Sequence, residues 1–136
     1  MMRNELFEAV KARLNARVPE IRHIDLWNHN VEFIEQEEGW ERPAVFIEFD
    51  TVSWSPYTGG GYRGVGTVRL HLVTDWHEGG QEAVFRLTDW VREAIDGMNG
   101  DHFGGMALLE TSTNHNHEDI LESIESYAVR YLLPQQ

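Results

Sequence analysis

Near the amino end, after Leu6, the series Phe7, Val10, Leu14 and Val18 advances by three or four, the apolar stripe of an amphipathic helix. Pro19 closes the stripe, so the pattern predicts a first helix over 3–17. The period then changes. "IRHIDLWN" reads as a strand, "EEGWERP" as an acidic, turn-rich connection, and "PAVFIEFDTV" from Pro43 as a second strand. In that strand Val45, Ile47 and Phe49 face one way and Ala44, Phe46 and Glu48 the other, a β-branched and aromatic run suited to burial. "VGTVRLHLVTDW" alternates as well, sending Val68, Leu70 and Leu72 to one side and Arg69 and His71 to the other, as a half-exposed strand does. After "EGG" the helical period returns with Val84, Leu87, Val91, Ala94 or Ile95, and Met98, while Arg86, Asp89, Arg92, Glu93 and Asp96 lie elsewhere. Gly97 falls where a helix-ending glycine belongs. "NGDHFGG" is then a turn and "MALLETST" a strand.

The last segment fits two geometries. As a helix, Ile120, Leu121, Ile124, Tyr127, Ala128, Tyr131 and Leu132 form one stripe. As a strand, Leu121, Tyr127, Val129, Tyr131 and Leu133 share a face with the less welcome Ser123 and Glu125. Local pattern favours helix and context favours strand: "MALLETST" needs an antiparallel partner, "NHNHED" is rich in turn formers, and "YAVRY" has strong strand character. Strand is the expectation. The order helix, strand, strand, strand, helix, strand, strand predicts an α+β fold, two helices packed on one face of an antiparallel sheet of four to five strands. With no internal repeat or composition break, residues 1–136 are expected to form a single domain.

Between the central strands, "SWSPYTGGGYRG" at 53–64 holds, with Gly66, five of the twelve glycines, and is expected to be a loop. It carries Trp54, Tyr57 and Tyr62 beside Arg63. Aromatic rings and arginine are what protein interfaces collect, although such rings also fold back over a domain's own core. With Arg69 and His71 on the outward face of the next strand, these six side chains are the candidate interface.

Composition narrows the function. A chain of 136 residues needs one ordinary core. The absence of cysteine excludes disulfides, thiolate nucleophiles and iron–sulfur clusters built from this chain. A formal charge of −12 argues against general affinity for nucleic-acid phosphates or anionic lipid. Lys11 is the one lysine, so the positive charge is arginine, the cation suited to fixed bidentate pairs. The amino-terminal residues alternate charged with apolar and lack the continuous apolar core of a signal peptide, and no run of about 18 apolar residues occurs, so a soluble cytoplasmic chain is expected. Two acidic clusters, at 32–41 and 117–125, read as solvated faces. In a ring of identical subunits they would also set up a field of one sign.

Candidates for chemistry are few. His115 and His117, two apart with Glu118 and Asp119 beside them, would project from one side of an extended chain and form part of a zinc or non-haem iron site. A small metal-binding domain or metal-dependent enzyme using His115 and His117 is therefore the alternative reading, opposed by one in which Asn-His-Asn-His is merely a connection. Asp75 and His77 stand where α/β enzymes often place a base, but connection and capping chemistry explains them as well. Gly59, Gly61, Gly64 and Gly66 superficially resemble a phosphate cradle, yet a strand follows them where a helix is required. No nucleophile elbow is present. The expectation is no catalytic residue, no bound metal and no cofactor.

The short amino-terminal helix, the strands "PAVFIEF" and "GTVRLHLVTDW" around a glycine-rich loop, the helix "EAVFRLTDWVREAIDG" and a last strand ending "SYAVRY" together resemble small tail-completion or tail-terminator proteins of phages and prophages. A head–tail connector role would leave a similar trace. The likeness spans nearly the whole chain in element order and texture. It implies an α+β fold, a ring, commonly a hexamer, that caps the tail tube, partners among tail-tube or connector proteins, assembly in the cytoplasm into a virion, and no catalytic residues. By position, the 53–64 loop matches the long loop that such proteins direct toward ring neighbours or the lumen.

Overall fold

Leu6, Val10 and Leu14 are fully buried along one side of the first helix, α1 (Met2–Arg17), because a four-residue spacing stacks side chains on one line. The structure is a computed structural model that describes residues 2–28, 40–117 and 119–134, with Asn116 and His117 described by backbone alone. After α1 come β1 (His23–Leu26), β2 (Ala44–Pro56), β3 (Tyr62–Asp75), α2 (Gln81–Ile95), β4 (Phe103–His117) and β5 (Ile120–Leu133). This is the predicted order, and the helix ends agree closely. Gly97, at φ 80°, follows the α2 cap Asp96 as expected. Gly80 caps the start of α2, so the capping considered for Asp75 falls five residues further on.

The five strands form one sheet in the order β1-β2-β3-β5-β4. β2, β3, β5 and β4 pair antiparallel, whereas β1 runs parallel to β2 with Ile24 opposite Val45. The sheet is thus mixed rather than wholly antiparallel. A parallel neighbour needs a long crossover, and the chain between Leu26 and Ala44 supplies the length. Most of that connection, including 32–39 of the first acidic cluster, lies outside the described residues.

Residues 120–132 are a strand. Every position from Ile120 to Leu133 faces a partner in β3, and most face a second in β4, so two ladders outweigh the local helical period. Both helices cover the same face. Val45 and Ile47 of β2, Val68, Leu70 and Leu72 of β3, and Tyr127, Val129 and Tyr131 of β5 meet the α1 stripe and Leu87, Val91, Ala94 and Ile95 of α2. Arg13 ties the helices together by donating from Nη1 to the Ala94 carbonyl at 3.1 Å.

The opposite face departs from expectation. Ala44, Phe46, Val73 and Ile120 form a second, smaller core beneath Trp27 and Trp40. β3 is consequently buried on both sides from Leu70 to Thr74, and the half-exposed strand expected there is corrected. Alternation of polar and apolar residues says which face a side chain takes, but not whether that face meets water.

Two further corrections concern connections. β2 runs on through Pro56 and β3 begins at Tyr62, so most of the expected 53–64 loop is a hairpin and only 57–61 turns. "NHNH" belongs to β4 and only the residues after His117 connect it to β5. The glycines explain the first error. A Cβ on Gly64 would stand 2.7 Å from the Trp54 ring, and one on Gly66 would stand 3.0 Å from Val52 and 3.3 Å from Tyr131. Gly64 and Gly66 are strand residues that leave room for neighbouring rings to lie on the sheet.

The second acidic cluster is not a solvated face, since Glu122 and Glu125 are 2% and 0% exposed. Buried carboxylates persist only with partners. Glu125 accepts from Arg92 Nη2 of α2 at 3.0 Å and from the Thr111 hydroxyl of β4. The same bond to Glu125 raises the affinity of the Arg92 guanidinium for its proton. Replacing Arg92 by Met, which leaves that carboxylate without its cation, is expected to lower unfolding free energy by about 3 kcal/mol in chemical denaturation. Alkaline stability follows from Tyr131, whose hydroxyl burial pushes up to about 12. The folded state holds that proton while the unfolded chain releases it near the ordinary tyrosine value of about 10, so stability is full below roughly pH 10 and falls between there and pH 12. Denaturation midpoints measured at successive pH values should show this decline, and Tyr131→Phe should lessen it.

Candidate functional site

At the hairpin end the chain turns through Gly59, Gly60 and Gly61, with φ of 93°, 110° and 79°, values that side chains rarely adopt. The Tyr57 amide donates to the Gly61 carbonyl and the Gly60 amide to the Tyr57 carbonyl, each at 3.0 Å, closing the turn. Trp54 lies over Gly64 with its ring 6.3 Å from that of Tyr131. Arg63 holds its guanidinium 4.2 Å above the Tyr57 ring, a cation–π contact that fixes a flexible side chain at the tip.

Trp54, Tyr57 and Tyr62 all lie at this end of the hairpin, and each remains more than a third exposed. Sequence reasoning missed three companions: Val65, Leu132 and Leu133, exposed by 59%, 42% and 43%. The register places them beside the hairpin, since Arg63 faces Leu132 and Tyr62 faces Leu133. Their signal was a strand pattern that continues past the end of the core, with Val65 and Leu132 on the face away from the helices and Leu133 beyond Tyr131 on the helix face. Strand alternation divides these side chains between two faces, Trp54, Tyr62 and Leu133 on the helix side and Arg63, Val65 and Leu132 on the other, and exposed apolar side chains without a role in the domain's own core mark protein contact surfaces.

Arg69 and His71 are placed differently from the other four. Arg69 Nη1 sits 2.9 Å from Asp50 and 3.6 Å from Glu48. The Thr51 amide, followed by Arg69, holds the Asp50 carboxyl below its ordinary value. His71 is 4% exposed, under Trp27, whose ring stacks on it at 3.9 Å and 3°. Its Nδ1 lies 2.6 Å from Glu122 and its Nε2 2.7 Å from Glu48. Both ring nitrogens thus sit within hydrogen-bond distance of a carboxylate, which fixes the orientation of the imidazole. The expected outward display of His71 is therefore corrected: Trp27, from a distant stretch of chain, covers it.

The residues considered for chemistry are dispersed. Asp75 is engaged by Arg42, and His77 packs beside Gly80. His115 sets its ring edge-on to Trp76 at 5.6 Å, while the His117 side chain and Glu118 lie outside the described residues. Among the described residues no three His, Asp or Glu side chains gather as metal ligands, and no helix is long and apolar enough to cross a membrane.

Neither a protein-family profile nor a curated protein matches this sequence. In structure the chain is similar to a chain of a solved assembly described as the virion of a native gene transfer agent (GTA) particle, with a TM-score of 0.60 and 13% identity. The match covers 96% of this chain and 95% of that one, so the two share a fold from end to end.

Proposed function

We propose that this protein is a structural component of a phage-like virion, working at the tail or head–tail junction by assembly rather than catalysis. The end-to-end likeness of fold to a chain of a gene transfer agent virion carries the reading. The exposed hairpin end supports it, because Trp54, Tyr57, Tyr62, Val65, Leu132 and Leu133 present apolar surface that the domain itself does not bury. In this reading copies associate into a ring that caps the tail tube, the hairpin contacts ring neighbours or tube and connector proteins, and the chain passes from cytoplasm to virion on assembly. Trp54, Tyr57, Tyr62 and Arg63 make contacts, while Arg69 and His71 act one step back by bracing β3. No cofactor takes part.

Size-exclusion chromatography with light scattering across a concentration series, with metal analysis of the same peak, tests this. A concentration-dependent oligomer that survives chelator is the expected result, and Val65→Asp with Leu132→Asp should weaken association about tenfold or more while leaving the fold intact. A monomer carrying one equivalent of zinc or iron, whose melting temperature drops on chelation, would overturn the reading in favour of a metal site at His115 and His117.

A further inference from the structure

Five of the eleven lysine and arginine side chains of this acidic chain are already engaged: Arg22, Arg42, Arg69, Arg86 and Arg92 each pair with a carboxylate. Arg63 and Arg130 form no ion pair among the described residues, and they line one cleft at the hairpin end. Tyr57 lies beneath Arg63, and Asp101, from the α2–β4 connection, contributes the one carboxylate in the cleft.

A second cleft, between the end of α1 and the outer side of α2, has the reverse charges. Glu20 and Glu93, which also form no ion pair among the described residues, line it with Arg17 and with Trp90, whose ring is 40% exposed. Each cleft therefore offers two like charges, one of opposite sign and one exposed ring, and the signs are exchanged between them. The two are well separated. Glu5, near the start of α1, hydrogen-bonds His102 in the wall of the first cleft, whereas Arg17 ends α1 at the second. At about 1.5 Å per residue the helix puts roughly 18 Å between them.

We infer that the occupant of each cleft is a second copy of this chain, with Glu20 and Glu93 of one molecule against Arg63 and Arg130 of the next and Arg17 against Asp101. Because the surfaces are different and do not overlap, one molecule binds two neighbours head to tail, the contact type that closes into a ring when its rotation allows. Exposed ion pairs contribute little individually, but a complementary set fixes register and speeds encounter. This inference rests on the self-association proposed above and specifies its surfaces.

The test is charge exchange. Arg63→Glu with Arg130→Glu in one variant, and Glu20→Arg with Glu93→Arg in another, should each weaken self-association about tenfold or more, with circular dichroism unchanged. An equimolar mixture should assemble again, since every contact between unlike variants then opposes opposite charges, and rescue excludes misfolding as the cause. If either variant assembles like the unaltered protein, or the mixture stays dissociated, these surfaces are wrong while self-association stands. If the unaltered protein remains monomeric at every concentration, self-association itself fails.

Discussion

Gly64, Gly66, Val68 and Leu70 of β3 lie opposite Tyr131, Val129, Tyr127 and Glu125 of β5, and the rest of the molecule depends on that register. It brings the aromatic and aliphatic halves of one face together beneath both helices. It sets the two glycines where the Trp54 and Tyr131 rings need space, and it delivers Glu125 to Arg92. Because side chains alternate along a strand, slipping by one residue would send this whole set to the wrong side. β3 and β5 remain paired to the end of the hairpin, so the same register that builds the core also carries the exposed end.

Charge is distributed by a similar logic. The acids that the sequence placed in a solvated run at 117–125 include two of the most buried carboxylates, each given partners by other elements: Arg92 and Thr111 for Glu125, His71 for Glu122. The far face of the sheet is sealed by rings in place of a helix, Trp27 on His71 and Trp40 on Phe46. A ring hydrogen-bonded at both nitrogens under a stacked indole constrains its neighbours in direction as well as distance, and it specifies this face more narrowly than aliphatic packing would.

What was legible in the sequence is what periodicity records. The α1 and α2 stripes, the two faces of β2 and β3, the helix-ending Gly97 and the fold class all follow from spacing along the chain. What failed required a partner distant in sequence. Gly64 and Gly66 resemble loop residues until Trp54 is laid across them, and His71 resembles a surface residue until Trp27 arrives. The parallel direction of β1 depends on a crossover that no local pattern announces. Glu125 spoils the strand pattern of β5 only until Arg92 and Thr111 are supplied. For the candidate surface, composition marked the aromatic and arginine residues, but Val65, Leu132 and Leu133 joined them only when strand register placed three separate segments side by side.

The tight turn at 57–61 has a consequence of another kind. A Cβ built on Gly59 meets no atom within 4 Å, and the tip of the turn is closed by hydrogen bonds of its own backbone. Insertions there would lengthen the arm, and deletions shorten it, without disturbing the helices or the paired strands below. Reach and stability are thus inherited separately, and a lineage of such chains has a place where fit to a changing neighbour is adjusted while the fold stays as it is.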